Sequence, residues 1–199
     1  MLMSQILQSL NKTLLAGLIL LIAIVLIVGS VSGSPIQLTT VWTSFLFRWL
    51  HVASGIMWIG LLYYFNFVQI PSMPKIPDEQ KPAIGKVIAP AALFWFRWAA
   101  LATVVTGLVV AALQGYLHAA FTLQPGFVAI GIGMWIALVM AFNVWFIIWP
   151  NQKKALGMVV VEPEEKARAA RMAMLTSRTN TMLSIPMLYM MVAQSHGGL

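Results

Sequence analysis

Long apolar runs separated by short polar stretches dominate the chain. Five of them are predicted to form helices, at about residues 13–30, 41–68, 89–115, 127–149 and 172–194. A run of about 20 apolar residues is long enough to cross the hydrocarbon core of a bilayer as an α-helix. The pattern therefore predicts an all-α fold: a polytopic membrane helix bundle of about five transmembrane helices, forming a single domain over residues 1–199.

The first and last runs carry additional signals. The apolar run Thr13–Val28 follows Lys12 and precedes the small residues SVSGS, a pattern that also fits a signal peptide. We interpret it as a signal anchor. Near the other end, Pro163 is followed at once by acidic residues, which is typical of a helix start. We expect the last helix to begin there, ahead of its apolar part.

Composition and charge agree with a membrane protein. The chain is 60% hydrophobic and only 9% charged, whereas a soluble domain carries about 25% charged residues. Its net charge of +7 comes mostly from lysines and arginines in short loops, which indicates membrane orientation and argues against nucleic-acid binding. The positive-inside rule predicts a cytoplasmic N-terminus and a periplasmic C-terminus in a bacterial inner membrane.

The sequence has no cysteine, which excludes several kinds of site. Disulfides, thiolate metal sites and iron–sulfur clusters all need cysteine. A covalently attached c-type heme needs the motif C-x-x-C-H. A noncovalent heme held by histidine is compatible with this composition.

Two of the runs have a small residue at every fourth position. Such stripes let helix backbones approach closely in lipid. We therefore predict that the third and fourth helices pack on each other. The stripe residues are Ala99, Thr103, Gly107, Ala111 and Gly115 on the third helix, and Ala129, Gly133, Ala137 and Ala141 on the fourth.

The segment RWLHVASGIMWIG in the second helix is the most informative part of the chain. At 100° per residue its polar positions share one face, and the opposite face is apolar. A polar stripe on a membrane helix must face the bundle interior or a cavity. The stripe consists of Ser44, Arg48, His51, Gly55, Trp58, Asn66 and Gln69.

The spacing within this stripe predicts a b-type heme. His51 supplies a nitrogen ligand for the iron, and Gly55 leaves room for a flat macrocycle one turn further along. Trp58 can pack on the edge of the macrocycle, and Arg48 can pair with a propionate. The alternative is structural: His51 hydrogen-bonds a neighbouring helix, Gly55 is a packing contact and Arg48 reaches the interface.

A b-type heme often has two axial ligands, and the chain has two other histidines, His118 and His196. The predicted topology brings all three histidines to the periplasmic side. We favour His196 as the second ligand of the heme iron, with His118 as the alternative. A third interpretation is that both are interfacial histidines without a ligand role.

Two arginines lie within apolar runs, where a charge is costly unless it is paired or solvated. Arg97 has aromatic neighbours in Trp95 and Trp98, which can offer cation–π contacts. Arg178 lies in the segment SRTNT. Both are predicted to lie in the inner leaflet, where they could line an anionic or quinone-type site. The alternative is that they anchor the helices at the interface.

Three separated segments resemble the membrane domain of the urate oxidase N-terminal family. They are RWLHVASGIMWIGLLYYFNF, NVWFIIWPNQKKALG and SRTNTMLSIPMLYMMVAQSH. This family comprises bacterial membrane-bound urate hydroxylases of the type that ends in a cytochrome c. The pattern H-x-x-x-G-x-x-W-x-G from His51 to Gly60 is also similar to helices of the membrane heme protein that oxidises protoporphyrinogen and of copper-resistance membrane proteins. Because the chain has no cysteine, the resemblance implies a short form that lacks the cytochrome c domain.

Two functions follow from these observations. The resemblance implies a membrane oxidoreductase, acting on urate or a quinol, that passes electrons to a periplasmic cytochrome c. The alternative is a non-catalytic subunit or assembly factor of a larger membrane respiratory complex, since no acid–base pair, nucleophile or cofactor loop is evident. A coupled transporter is disfavoured because none of the apolar runs contains an acidic residue.

Overall fold

The structure is a computed structural model that describes residues 2–33 and 36–198. Over those residues it is helical, with turns and loops between helices and no strand. The predicted all-α class is confirmed. The helices are α1 (Leu2–Leu7), α2 (Leu10–Val31), α3 (Thr40–Lys75), α4 (Lys81–Leu113), α5 (Leu117–Phe121), α6 (Val128–Ala155) and α7 (Pro163–His196).

Four of these helices, α2, α3, α4 and α6, are long and apolar enough to cross a membrane. The protein is therefore a membrane protein. The fifth predicted span lies within α7, which begins at Pro163 as expected but is not one of these four. The number of spans and the orientation of the termini stay predictions.

The long helices extend beyond their predicted ends: α3 continues past residue 68 to Lys75, α4 begins at Lys81 rather than at residue 89, and α6 continues past residue 149 to Ala155. Helix α3 passes through a π-helical segment at Tyr64–Gln69, and α4 begins with another at Ile84–Ile88. A third lies within α6 at Asn143–Ile148. In a π-helix each hydrogen bond spans one residue more than in an α-helix, and apolar runs carry no signal for that change.

The chain divides into two compact units, Met1–Thr43 and Ser44–Leu199. Within the first unit, α2 is a continuous apolar helix of 22 residues. The second unit contains α4 to α7 and nearly all of α3. Its core is formed by large side chains from α3, α4, α6 and α7, including Trp58, Leu62, Leu93, Phe96, Met140, Val144 and Met187.

Within the second unit, α6 packs far more extensively on α7 than on α4. A β-carbon added to Gly133 would lie 3.3 Å from Cβ of Met190, so α7 lies close to the backbone of α6 at this point. Helices α4 and α6 do contact each other. The predicted packing of these two helices on each other is therefore confirmed, and at Gly133 the small residues of α6 also accommodate α7.

Polar side chains on the buried face of α7 explain its low hydropathy. Asn143 Nδ2 donates to Oδ1 of Asn180 at 2.8 Å, and Asn66 Nδ2 donates to Oγ of Ser177 at 2.8 Å. The hydroxyl groups of Tyr63 and Ser184 are 2.9 Å apart. Helix α7 therefore contacts its neighbours partly through hydrogen bonds between helices.

Candidate functional site

A cavity of about 870 Å³ lies between α3, α4, α6 and α7, and all of its lining residues belong to the second unit. Pockets for small molecules and cofactors have volumes of about 300–1,000 Å³ and mostly apolar walls. The walls here are largely apolar side chains. The polar lining residues come from α3 and from the ends of α4 and α7: Arg48, Gln114, Tyr116, Gln194, Ser195 and His196.

The five residues assigned to a heme from the sequence all line this one cavity: Arg48, His51, Gly55, Trp58 and His196. They come from two helices that are far apart in the sequence. His118 lies on α5, is exposed and does not line the cavity. Of the two candidates for a second ligand, His196 is therefore the one that shares a cavity with His51.

His51 is held by a hydrogen bond to the backbone of α4. Its Nδ1 lies 2.8 Å from the carbonyl oxygen of Thr103. A carbonyl can only accept, so Nδ1 carries the proton, and in the neutral ring Nε2 keeps its lone pair. Histidines that bind metals commonly donate their other ring N–H to such an oxygen, which fixes the ring and its tautomer. The structural alternative is confirmed in one respect, since His51 does hydrogen-bond a neighbouring helix.

Gly107 provides the space for the ring of His51. A β-carbon at Gly107 would lie 2.8 Å from Cε1 and 2.9 Å from Nδ1 of His51, closer than atoms can approach without a shift. Gly107 and Thr103 belong to the stripe that was interpreted as helix packing. In the structure, this part of the stripe accommodates and orients His51.

Gly55 and Trp58 border the cavity in different ways. A β-carbon at Gly55 would meet only Cγ2 of Thr103, at an ordinary 3.9 Å, so Gly55 is not a close helix contact. Its missing side chain leaves space in the cavity. Trp58 is 1% exposed, and its indole Nε1 has no hydrogen-bond partner. A buried donor without a partner is unfavourable, and this one belongs to a residue that lines the cavity.

The polar side of the cavity is shaped by the end of α4. Gly115 has φ +76°, a left-handed conformation that ends the helix, and the amide of Tyr116 bonds back to the carbonyl of Ala111 at 3.1 Å. The ring of Tyr116 stacks on Phe127 with centroids 5.7 Å apart. Burial raises the pKa of Tyr116, and the nearby charge of Arg48 opposes this only in part. Tyr116 is therefore an uncharged phenol at neutral pH.

His196 is exposed at the end of α7. Its Nδ1 lies 3.1 Å from the carbonyl oxygen of Val192, one turn earlier in the same helix. The same argument as for His51 leaves the lone pair of Nε2 free in the neutral ring. The chain reverses just beyond it, at Gly197 with φ +67°, and Tyr189 donates to the carbonyl of Gly198 at 2.8 Å.

Sequence reasoning missed three methionines that line the cavity, Met134, Met187 and Met191. The chain has 13 methionines, and nothing in their spacing separates these from the others. Within residues 2–33 and 36–198, no three His, Cys, Asp or Glu side chains are grouped so that they could hold a bare metal ion. A heme iron needs fewer protein ligands because the protein supplies only its axial positions.

Arg97 lies outside this cavity, between α4 and α6. Its Cζ is 3.3 Å from the ring centroid of Trp149 and 5.9 Å from that of Trp145. The expected cation–π contacts exist, but the partners are on α6 rather than the sequence neighbours of Arg97. Arg178 is exposed, in contrast to Arg97.

Comparison with known proteins gives one match. The model of the family described as urate oxidase N-terminal matches residues 110–198, which run from the end of α4 to the end of α7. Over this range the resemblance noted in the sequence is confirmed. The matched range includes His196 and the cavity methionines but not His51. No curated protein and no solved structure matches the chain.

Proposed function

We propose that this protein is an integral membrane redox protein that binds a b-type heme in the cavity and passes electrons to a periplasmic cytochrome c. The observation that carries the proposal is the arrangement of His51. Its Nδ1 is fixed by the carbonyl oxygen of Thr103, and its Nε2 is left with a free lone pair beside a large apolar cavity. This is how a protein prepares a histidine for a metal.

The residues around the cavity fit such a group. His51 and His196 would hold the iron, and Arg48 at the polar side would pair with a propionate. Gly55 leaves space for the flat ring system, and the unpartnered Nε1 of Trp58 offers a donor at its edge. When bound, the heme would supply one-electron redox chemistry, with its potential set by the axial ligands and the apolar walls.

The family match favours a role of the urate hydroxylase type. Such a protein oxidises a substrate and needs an electron acceptor. The polar side of the cavity lies at the end of α7, which the charge pattern assigns to the periplasm of a bacterial inner membrane. A heme edge on that side would be accessible to a soluble cytochrome c.

The first experiment is an absorbance spectrum of the protein purified from membranes in mild detergent. We expect a Soret band and dithionite-sensitive α and β bands, with pyridine extraction identifying heme b. His51→Ala should lose most of this absorbance, whereas His118→Ala, on an exposed residue outside the cavity, should keep it. A wild type without the bands, or equal spectra for wild type and a folded His51→Ala, would overturn the proposal.

A second experiment tests the acceptor. The dithionite-reduced protein is separated from excess reductant and mixed with oxidised cytochrome c in a stopped-flow instrument. We expect rapid oxidation of the heme bands at low ionic strength, matched by reduction of cytochrome c. A protein that holds heme but exchanges no electrons with cytochrome c within minutes would contradict this part of the proposal alone.

A further inference from the structure

Arg97 is a buried cation without a hydrogen-bond partner. The residue is 9% exposed, and its Nε and Nη1 atoms are fully covered without an acceptor. It lies in α4, which is long and apolar enough to cross a membrane. An isolated charge in such surroundings is unfavourable by several kcal/mol, roughly, unless something neutralises it.

The described part of the chain supplies no counter-charge for Arg97. The two ion pairs among the described residues join Lys81 to Asp78 and Lys154 to Glu165, and neither involves Arg97. The contact with the face of Trp149 attracts the cation but leaves its N–H groups unsatisfied. A second cation, Lys153, has its Nζ 5.6 Å from the same indole ring. Two positive groups therefore flank Trp149.

The neighbouring unpartnered polar atom is also a donor. Nε1 of Trp145 is buried without a hydrogen-bond partner, and the ring of Trp145 lies 5.9 Å from Cζ of Arg97. Trp145 is held in place by an edge-to-face contact with Trp98 at 5.5 Å. The site therefore combines positive charge with several N–H donors, and this combination binds an oxyanion.

Helix α3 carries two buried acceptors without partners, Oδ1 of Asn66 and Oε1 of Gln69. Neither is hydrogen-bonded to Arg97. A water molecule beside Arg97 would satisfy hydrogen bonds but would leave the charge in place. Neutralisation requires an anion.

We propose that Arg97, Trp145 and Lys153 form a binding site for a phosphate-type oxyanion. Two sources share this chemistry: the phosphate group of a membrane lipid and a soluble phosphate. Trp149 lies in the last two turns of α6, so the site lies near a helix end. It is separate from the heme cavity, and either proposal can fail without the other.

The experiment measures thermal unfolding of the purified full chain in a neutral detergent with four additions. These are phosphatidylglycerol, the zwitterionic phosphatidylcholine, inorganic phosphate and decylubiquinone. We expect the unfolding temperature to rise with phosphatidylglycerol if a lipid is the source, or with inorganic phosphate if a soluble anion is. Titration of the responding compound gives its apparent affinity.

Variants then assign the response to the site. Arg97→Gln should weaken the apparent affinity about tenfold or more, because it removes the charge and its hydrogen bonds. Arg178→Gln is the matched control, since it removes an equal charge from an exposed position on α7. If Arg97→Gln does not fold, Arg97→Lys keeps the charge but loses the planar fork, and Trp145→Phe keeps the ring but loses the donor. Both should weaken binding several-fold.

The outcomes are distinct. A response of the wild type that is lost in the Arg97 and Trp145 variants and kept in Arg178→Gln supports the site. No response to either anion overturns it. The proposal is also overturned if Arg97→Gln, Arg97→Lys or Trp145→Phe responds as strongly as the wild type. A larger rise in unfolding temperature with the neutral quinone than with the anions would overturn it as well.

Discussion

His51 and Gly107 touch across two helices, so closely that a β-carbon on Gly107 would lie 2.8 Å from Cε1 of His51. The same edge of the ring is fixed by the bond from its Nδ1 to the carbonyl of Thr103, one turn earlier on α4. One residue on α3 is thus positioned by the backbone of α4. The heme proposal depends on this contact as much as on the histidine itself.

The contact predicts the effect of Gly107→Ala. The added methyl group must displace the ring of His51, and overpacking of this kind costs about 1–3 kcal/mol. We expect a lower unfolding temperature and a lower ratio of heme to protein, measured by denaturation in detergent and by pyridine extraction. Gly85→Ala on the same helix is the control, because its β-carbon would meet only Leu156, at 3.9 Å. Equal stability and heme content in the two variants would contradict the assigned role of Gly107.

The two remaining histidines should differ in their effect on the iron. His196 lines the cavity with His51, whereas His118 does not. We expect His196→Ala to convert a low-spin heme to a high-spin one, detected by electron paramagnetic resonance, and His118→Ala to leave the spectrum unchanged. If His196→Ala stays low-spin, the second ligand is another residue, and the cavity thioethers of Met187 and Met191 become the next to test.

The contact between Asn143 and Asn180 should be important for stability. Asn180 is fully buried, accepts from Nδ2 of Asn143 and donates to the carbonyl of Met140 at 2.9 Å. Asn180→Ala leaves the buried Nδ2 of Asn143 without its acceptor, at a cost of about 1–3 kcal/mol, whereas the carbonyl of Met140 still accepts the backbone N–H of Asn143. Thr179→Ala is the neighbouring control, since the exposed Thr179 bonds only within its own helix. Unfolding titrations in mixed micelles measure the difference, and indistinguishable midpoints would show that the pair contributes little.

The ion pair between α6 and α7 predicts that the stability of the fold decreases at acidic pH. Lys154 Nζ donates to Oε1 of Glu165 at 2.6 Å, and this bond together with the lysine charge holds the pKa of Glu165 below its usual value of 4.5. A lowered pKa in the folded state stabilises the protein above the unfolded pKa, and this contribution is lost as pH falls through the folded one.

Glu165→Gln should therefore unfold at a lower temperature than the wild type at neutral pH, and the gap should close below about pH 4. Thermal unfolding across a pH series measures it, with Glu164→Gln as the control for loss of one acidic residue. Because the pair is exposed, added salt should shrink the gap as well. A gap that stays constant down to pH 3 would contradict this explanation.

The sequence was sufficient to predict features that depend on one helix alone, such as its position in the chain and its buried face. The run around His51 predicted which face of α3 points inward: Ser44, Trp58 and Asn66 are buried, whereas Arg48 on the same face is exposed. This worked because a polar residue in a membrane helix is tolerated on few faces. The positions of the helices could be predicted from the long apolar runs, which also depend on one helix at a time.

The sequence was insufficient to predict contacts between residues on different helices, because it does not show which helices are neighbours. Thr103 and Gly107 are separated from His51 by more than 50 residues, and only their proximity in space gives them a role. Arg97 was matched with tryptophans next to it in sequence, whereas its partners are on α6. The polar face of α7 could not be predicted as buried because its partners are on other helices.

The π-helical segments have a consequence for how the chain can change in length. Each contains in effect one inserted residue, and every residue beyond it is rotated by about 100° relative to an uninterrupted α-helix. A single deletion between Tyr64 and Gln69 would restore a continuous α-helix, and both the end of α3 and the turns from His51 to Trp58 would keep their contacts. Each π-helical segment is therefore a place where the chain can lose one residue without moving the side chains on either side of it.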